Sequence, residues 1–203
     1  MNKAAFFDSV RHSLFGGKLR QGQVDTINEI LAMCYEREVY DLRKIAYILA
    51  TAYHEAYSAK YNPEFAPVRE GFAKTDEEAY NHVVRLYKAG KIKRNYAKRN
   101  SKGYSYYGRG WVQITHEDNY KRLGDEYKID LVNNPDLALS RPVAALLLVE
   151  GMVRGFFTGL KLGAYITDSN TDLLGSRKTV NGQDKASLIA GYAMKFYEAM
   201  IQL

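Results

Sequence analysis

Apolar residues recur at spacings of three to four along most of this chain of 203 residues, and this periodicity constrains the fold more than any other feature. Few segments show the alternation that is typical of strands, and only four prolines interrupt the pattern. With 46% apolar residues, the chain is long enough to bury a core as one compact domain. We therefore expect a mainly α protein. The helical pattern covers seven segments: 3–14, 22–38, 41–57, 76–89, 116–127, 141–156 and 184–201.

Two predicted helices begin with recognisable signals. Asp184 is a suitable N-cap for the last helix, because its carboxylate can accept a hydrogen bond from a free backbone N–H. Pro142 fits the first turn of the sixth helix. The stretches 58–75 and 90–111 are irregular and rich in Gly, Lys, Asn, Pro and Tyr. Loops of that length within a compact domain are often functional.

Short apolar runs and a single cysteine bear on secretion, membrane insertion and disulfide formation. The four consecutive apolar residues at 4–7 are too few for a secretory signal, and the longest apolar run, 143–149, is far shorter than the ~20 residues that span a bilayer. We therefore expect a soluble protein made in the cytoplasm, without stable membrane insertion. Cys34 is the only cysteine, so no disulfide can form within the chain, and we expect it to be a small core residue.

Positive charge is concentrated in the stretch 88–102, KAGKIKRNYAKRNSK. Seven of its fifteen residues are Lys or Arg and none is acidic, in a chain whose net charge is +6. Three interpretations stay open: a solvated loop, a patch that follows the phosphates of a nucleic acid, or a patch that binds a negatively charged cell wall.

Glu55 is the first candidate for chemistry. It lies at the border of the apolar stripe of the helix predicted over 41–57, close to that helix's C-terminal end. Partial burial and the negative pole of the helix dipole would both raise its pKa, which suits a general acid. The alternative is an ordinary surface residue at a helix end.

Two further carboxylates, Glu64 and Glu70, follow within fifteen residues of Glu55. An acid on a rigid helix with a second carboxylate on the next loop is the arrangement that cleavage of a glycosidic bond requires. Metal chemistry finds little support, because the HExxH pattern that begins at His54 closes on Ser58 rather than on a histidine. We therefore expect no metal site and no cofactor.

The segment 106–120, YYGRGWVQITHEDNY, resembles the signature of family 19 glycoside hydrolases, whose chitinase-like fold is shared with many phage endolysins. Several other strings resemble the same family in the same order along the chain: GGKLRQGQVDTINEIL, AYILATAYHEA, PVREGF and KTVNG. The resemblance thus covers nearly the whole chain. It implies a lysozyme-like or chitinase-like helical fold with a substrate cleft between two lobes, in a single catalytic domain over 1–203 with no separate wall-binding domain.

The resemblance also implies roles for individual residues. Glu55 would be the general acid and Glu70 the base, with Thr115 helping to hold the attacking water, while Glu64 stays open as a rival second carboxylate. Arg109 would contact the substrate or, equally, form a buried ion pair with Glu55 or Glu70. His54 would be a packing residue. The substrate-binding residues implied are Tyr106 and Tyr107 as an aromatic wall, Arg109, Gln113, Asn119 and Asn181.

The leading functional hypothesis is a monomeric phage-type endolysin that hydrolyses the β-1,4 glycan backbone of peptidoglycan as an inverting N-acetylmuramidase. It would be held in the host cytoplasm and reach the wall through a membrane lesion made by a holin-type protein. A chitinase and a lytic transglycosylase are the enzymatic alternatives. A nucleic-acid-binding module, suggested by the basic stretch 88–102, is the alternative from another class.

Overall fold

A computed structural model describes residues 2–202, and within them the chain forms seven α-helices and only two strands. The prediction of a mainly α fold is confirmed, and each predicted helix is present with slightly shifted ends. The helices are α1 (Lys3–Ser13), α2 (Gln21–Glu36), α3 (Leu42–Ala56), α4 (Asp76–Lys88), α5 (Glu117–Tyr127), α6 (Arg141–Arg154) and α7 (Ala186–Ile201).

Helix α3 is the axis of the main hydrophobic core. Asp41 caps its start, since the carboxylate accepts a hydrogen bond from the Arg43 N–H at 2.9 Å. Nearly every side chain from 45 to 53 is buried, and α3 packs chiefly against α7, with further contacts to α2 and α6. A helix that is apolar on most of its sides must be surrounded by others. Its last turn is therefore held rigidly, and that turn carries Glu55.

Two smaller hydrophobic clusters lie beside this core. One is built around Tyr106, Tyr120 and Leu123, and the other around Val83 and Tyr107. The segment 104–116 supplies residues to both clusters and also contributes Trp111 to the main core. This segment is therefore fixed by packing although it forms almost no regular structure.

The two strands are two residues long and pair antiparallel: β1 (Val68–Arg69) with β2 (Arg109–Gly110). Just beyond β1, the Glu70 N–H donates to the Gly108 carbonyl at 2.8 Å. Gly110 has a φ of +103°, which only glycine adopts readily. The pairing joins the stretches 58–75 and 90–111, which the sequence predicts to be irregular. Both stretches are irregular apart from these strands and a few short turns.

The remaining local predictions have mixed outcomes. Pro142 lies in the first turn of α6, and Cys34 is fully buried, as expected. The assignment of Asp184 as the N-cap of α7 is wrong, because the cap position is Lys185 in a left-handed conformation, and the Asp184 carbonyl instead accepts from Arg177. None of the helices within residues 2–202 is long and apolar enough to cross a membrane.

Candidate active site

A cleft of about 230 Å³ brings together residues from distant parts of the chain. Glu55 comes from the last turn of α3, and Gln113 and Thr115 follow β2. Asn119 lies in the first turn of α5, and Asn181 follows the short 3-10 turn Gly175–Thr179. The sequence predicts a catalytic or substrate-binding role for each of these five residues. The fold places all five around one cleft.

Glu55 is held by a buried arginine that the sequence analysis did not identify. The Arg177 Nη1 donates to Glu55 Oε1 at 2.6 Å, and the Arg177 Nε donates to the Asp184 carbonyl at 3.1 Å. Arg177 is almost completely buried, whereas the Glu55 side chain keeps 24% of its surface exposed to the cleft. The guanidinium therefore orients the Glu55 carboxylate at the cleft through a charged hydrogen bond.

Both carboxylate oxygens of Glu70 accept hydrogen bonds. Tyr96 donates its hydroxyl to Oε1, and the Gly108 N–H donates to Oε2 at 2.8 Å. Burial, and after it the hydrogen bond and charge of Glu70, raise the pKa of Tyr96, so its hydroxyl stays protonated and acts as the donor. Glu70 is thus a fixed, half-buried carboxylate with two donors.

Glu70 is absent from the cleft lining, but it is linked by contacts to a residue that lines the cleft. Gly108, whose N–H contacts Glu70, packs so closely on the Gln113 side chain that a Cβ at this position would collide with it. Gln113 in turn donates from Nε2 to the Val68 and Gly110 carbonyls, at 3.2 Å each. Glu70 is therefore linked through the Gly108 backbone to Gln113, which lines the cleft.

Glu64 lies in a different environment. Its carboxylate forms an ion pair with Arg20 at 3.0 Å, its side chain is 47% exposed, and it packs against Gly22 in the first turn of α2. Glu64 is absent from the cleft lining. Its surroundings are those of a surface ion pair.

Three of the predicted substrate contacts are wrong. Tyr106 and Tyr107 are 2% and 0% exposed, because their rings form the interior of the two small clusters, so they cannot form an aromatic wall. Arg109 is 1% exposed and cannot reach a sugar. It is a buried ion-pair residue, the other role considered for it, but its partners are Asp136 at 2.7 Å and Asp76 at 3.4 Å rather than Glu55 or Glu70.

The polar residues of the cleft also stabilise its backbone. The Asn119 Nδ2 donates to the Thr115 carbonyl at 2.8 Å, and the Asn181 Oδ1 accepts from the Gly182 N–H at 2.8 Å. The Oε1 of Gln113 is buried and has no hydrogen-bond partner among the residues that the structure describes. An amide with a free acceptor beside a cleft is suited to bind a hydroxyl or N-acetyl group after a small rotation.

A family model for class I chitinases of glycoside hydrolase family 19 matches residues 31–149, which is more than half of the chain. The chain belongs to this family. The matched range contains Glu55, Glu70, Gln113, Thr115 and Asn119. The resemblance to family 19 glycoside hydrolases is therefore confirmed over residues 31–149.

Plant chitinases are among the curated relatives of this family 19 chain. Chitinase 11 of Oryza sativa subsp. japonica is 60% identical over 40 residues, which are 20% of this chain and 16% of that protein. Acidic endochitinase pcht28 of Solanum chilense is 52% identical over 40 residues, 19% and 16% of the two chains. An endochitinase of Pisum sativum is 49% identical over 43 residues, 21% and 13%. The chain thus matches only about a sixth of the length of these relatives.

Several cleft residues of this family 19 chain were missed by the sequence analysis. Phe156 and Phe157 line the cleft, and Arg122 donates to the Phe156 carbonyl at 2.5 Å. The paired aromatics directly after Gly155, a helix-ending glycine with a φ of +77°, were the available signal. The sequence signal for Arg177 was weaker: it lies four residues before Asn181, directly before the string KTVNG. No group of His, Cys, Asp and Glu side chains suited to a metal ion occurs within residues 2–202.

Proposed function

We propose that this family 19 protein hydrolyses the β-1,4 bonds of a glycan that contains N-acetylhexosamine. The observation that carries the proposal is the position of Glu55, which is held by Arg177 at the cleft together with uncharged hydrogen-bonding side chains and two phenylalanines. Amides and hydroxyls can bind sugar hydroxyls and N-acetyl groups, while aromatic faces pack on pyranose rings.

In this proposal Glu55 is the general acid and Glu70 the general base. Arg177 holds the Glu55 carboxyl group at the cleft through its hydrogen bond to Oε1. Glu55 then gives its proton to the leaving glycosidic oxygen as the bond to the anomeric carbon breaks. Water attacks that carbon from the opposite face and gives its proton to Glu70, with inversion of configuration.

Glu70 and Glu64, the two candidates for the general base, lie in different surroundings. Glu70 receives two hydrogen bonds from fixed donors. Thr115 lines the cleft and would help to hold the attacking water. Glu64 is an exposed partner of Arg20 outside the cleft lining. Glu70 therefore remains our proposed base.

We further propose peptidoglycan as the glycan, with the protein acting as an endolysin of the muramidase type. The net charge of +6 supports this choice, because the bacterial wall is anionic. The second candidate is a chitinase, which the names of the plant relatives support. A transglycosylase would use one carboxylate alone and leave an anhydro-muramic end.

Products from two polymers test these alternatives. We would incubate the protein with purified sacculi and with colloidal chitin and identify the new sugar ends by mass spectrometry. A new reducing muramic acid end supports the muramidase, release of N-acetylglucosamine oligomers from chitin alone supports the chitinase, and anhydro ends support the transglycosylase. The absence of sugar release from both polymers would reject the proposed hydrolase.

Three substitutions test the residue roles in the same assay. We expect Glu55→Gln and Glu70→Gln each to lower the rate by about 100-fold or more, since general acid and base groups contribute on this scale. Glu64→Gln is the matched control and should keep most of the activity, because it only loses a surface ion pair. Far-UV circular dichroism should be the same for all three. Near-normal activity of Glu55→Gln would reject the acid assignment, and a larger loss in Glu64→Gln than in Glu70→Gln would reject the base assignment.

A further inference from the structure

The strongest concentration of charge in the molecule lies outside the cleft, in residues 88–102, which we call the basic loop. Its seven positive charges exceed the net charge of +6 of the whole chain, so the rest of the sequence carries a slight negative excess. The proposed hydrolysis does not use these side chains. The positive field of the protein is therefore a property of one loop rather than of its general surface.

The basic loop is fixed by its inward-facing residues. Ile92, Tyr96 and Ala97 pack with the cluster around Val83 and Tyr107, and the Ser105 hydroxyl donates to the Ala97 carbonyl at 2.6 Å. The backbone of the basic loop is therefore anchored to the protein while most of its charged side chains lie in solvent. This is the property of a binding surface rather than of a flexible linker.

Most of the outward charges are not neutralised. Arg99 forms ion pairs with Asp76 at 2.7 Å and Glu77 at 2.9 Å, and it is the one basic residue of the loop that pairs with a carboxylate within the described part of the chain. The other six are exposed and form no ion pair in residues 2–202: Lys88, Lys91, Lys93, Arg94, Lys98 and Lys102. Six clustered cations repel one another, so an anionic partner would relieve this repulsion.

The position of the basic loop links it to the candidate active site. Tyr96, in the middle of the loop, donates its hydroxyl to Glu70, and its ring packs 5.1 Å from the His116 ring, measured between centroids. The unpaired cations therefore lie on the same structural unit that supports the proposed base.

We propose that the basic loop binds the carboxylates of peptide side branches on the glycan, and so directs the enzyme to an anionic, peptide-bearing polymer rather than to neutral chitin. This inference rests on the proposed glycan hydrolysis. The loop is joined through Tyr96 to Glu70, the proposed base of glycan hydrolysis, and we therefore choose a glycan rather than a nucleic acid as its partner. Attraction between six unpaired cations and a polyanion is strong at low salt and is screened at high salt.

The experiment compares two double charge reversals with the same net charge. The loop variant is Lys91→Glu with Lys93→Glu, and the control is Lys3→Glu with Lys18→Glu. All four lysines are exposed, and none makes a side-chain hydrogen bond within the described residues. Both pairs are made in the Glu55→Gln background, so that sacculi are not digested while binding is measured. The readout is co-sedimentation with purified sacculi over a range of salt concentrations.

We expect the loop variant to bind sacculi about 10-fold more weakly or worse at low salt, and the difference to shrink as salt is added. The control should bind like its parent. With Glu55 restored, both variants should hydrolyse a neutral chitin oligosaccharide at the parental rate if the parent does so. Circular dichroism checks the fold of each variant.

Two outcomes would overturn the inference: parental sacculus binding by the loop variant, and equal losses in the loop and control variants. In the first case the binding of duplex DNA is also measured, and weaker DNA binding by the loop variant would assign the loop to nucleic acid. Binding and catalysis are read separately, so the two proposals fail separately. Sacculus binding that depends on the loop, in a protein that releases no sugar, would reject the hydrolase and keep the assignment of the loop.

Discussion

Tyr96 is the residue through which the basic loop reaches the candidate active site. Its hydroxyl hydrogen has one acceptor, the Glu70 carboxylate, and its raised pKa keeps it a donor over the range in which the enzyme would work. It does not line the cleft. We therefore regard Tyr96 as a positioning residue for Glu70 and not as a catalytic residue.

We expect Tyr96→Phe to lower kcat by about 10-fold and to leave KM almost unchanged, because a hydrogen bond to a charged group contributes about 1.5–3 kcal/mol. Steady-state hydrolysis of sacculi or of chitin oligosaccharides measures this split. Tyr104→Phe is the matched control, since Tyr104 lies close by and its hydroxyl makes no hydrogen bond within the described residues. Equal effects of the two substitutions, or a change confined to KM, would contradict the positioning role.

Arg109 illustrates how a residue in a family signature can be structural. It carries its charge in the interior because two carboxylates, the Ser105 carbonyl and the Tyr120 hydroxyl satisfy its guanidinium, which also lies 3.7 Å from the centre of the Tyr107 ring. A buried cation is stable only with such partners. Within the same signature, Gln113 and Thr115 line the cleft, whereas Arg109 is buried.

At the scale of elements, the C-terminal end of α6 shapes one wall of the cleft. Gly155 ends the helix in a left-handed conformation and turns the chain back, so that the Phe157 ring packs directly on Gly151. Phe156 and Phe157 then line the cleft. The absence of a side chain at Gly151 is what allows the ring to lie there.

Two glycine substitutions separate helix propensity from packing. Gly191 in α7 is exposed, with nothing within 4 Å of an added Cβ, so Gly191→Ala should raise the free energy of unfolding by about 0.5–1 kcal/mol. Gly151→Ala should instead lower it by about 1–3 kcal/mol, because the new methyl group overlaps the Phe157 ring. Urea denaturation measures both values. Stabilisation by both substitutions would show that Phe157 does not pack on Gly151 in solution.

At the scale of the whole molecule, Asp136 connects parts of the chain that are far apart in sequence. It lies in the 3-10 turn Pro135–Leu139 and forms ion pairs with Arg69 of β1 at 2.6 Å and with Arg109 of β2 at 2.7 Å. Burial by itself raises the pKa of Asp136, but the hydrogen bonds and charges of Arg109 and Arg69 outweigh it and hold that pKa below the ordinary value of 3.8.

Acid should therefore weaken the fold through Asp136. Because its folded pKa is below the unfolded value, the unfolded chain binds more protons in acid, and the stabilisation present above about pH 4 is lost as the pH falls further. We expect Asp136→Asn to lower the free energy of unfolding at pH 7 by about 1–2 kcal/mol, since Asp136 is half exposed, and to reduce the further loss in acid. Urea titrations at pH 7 and pH 3 measure this.

The control for Asp136 is Asp125→Asn, which removes an exposed ion pair with Lys121 and should change stability little. A pH dependence in Asp136→Asn as steep as that of the parent protein would contradict the role of Asp136.

His54 should give a second loss of stability at higher pH. Burial lowers the pKa of His54, so the free energy of unfolding is expected to decrease as the pH falls below about 6.5, where the unfolded chain takes up the proton first.

The sequence alone was sufficient for the helices and for the position of Glu55 in the last turn of α3, because hydrophobic periodicity acts within a few residues along the chain. It also predicted roles for Gln113, Thr115, Asn119 and Asn181 through a family resemblance, and the fold places all four at the cleft. The tertiary structure alone decided that Arg177, 122 residues from Glu55 in sequence, is the partner of its carboxylate. It also decided that Tyr106, Tyr107 and Arg109 point inward. In an irregular segment no periodicity marks the buried face, so packing against distant residues decides which side chains reach the cleft.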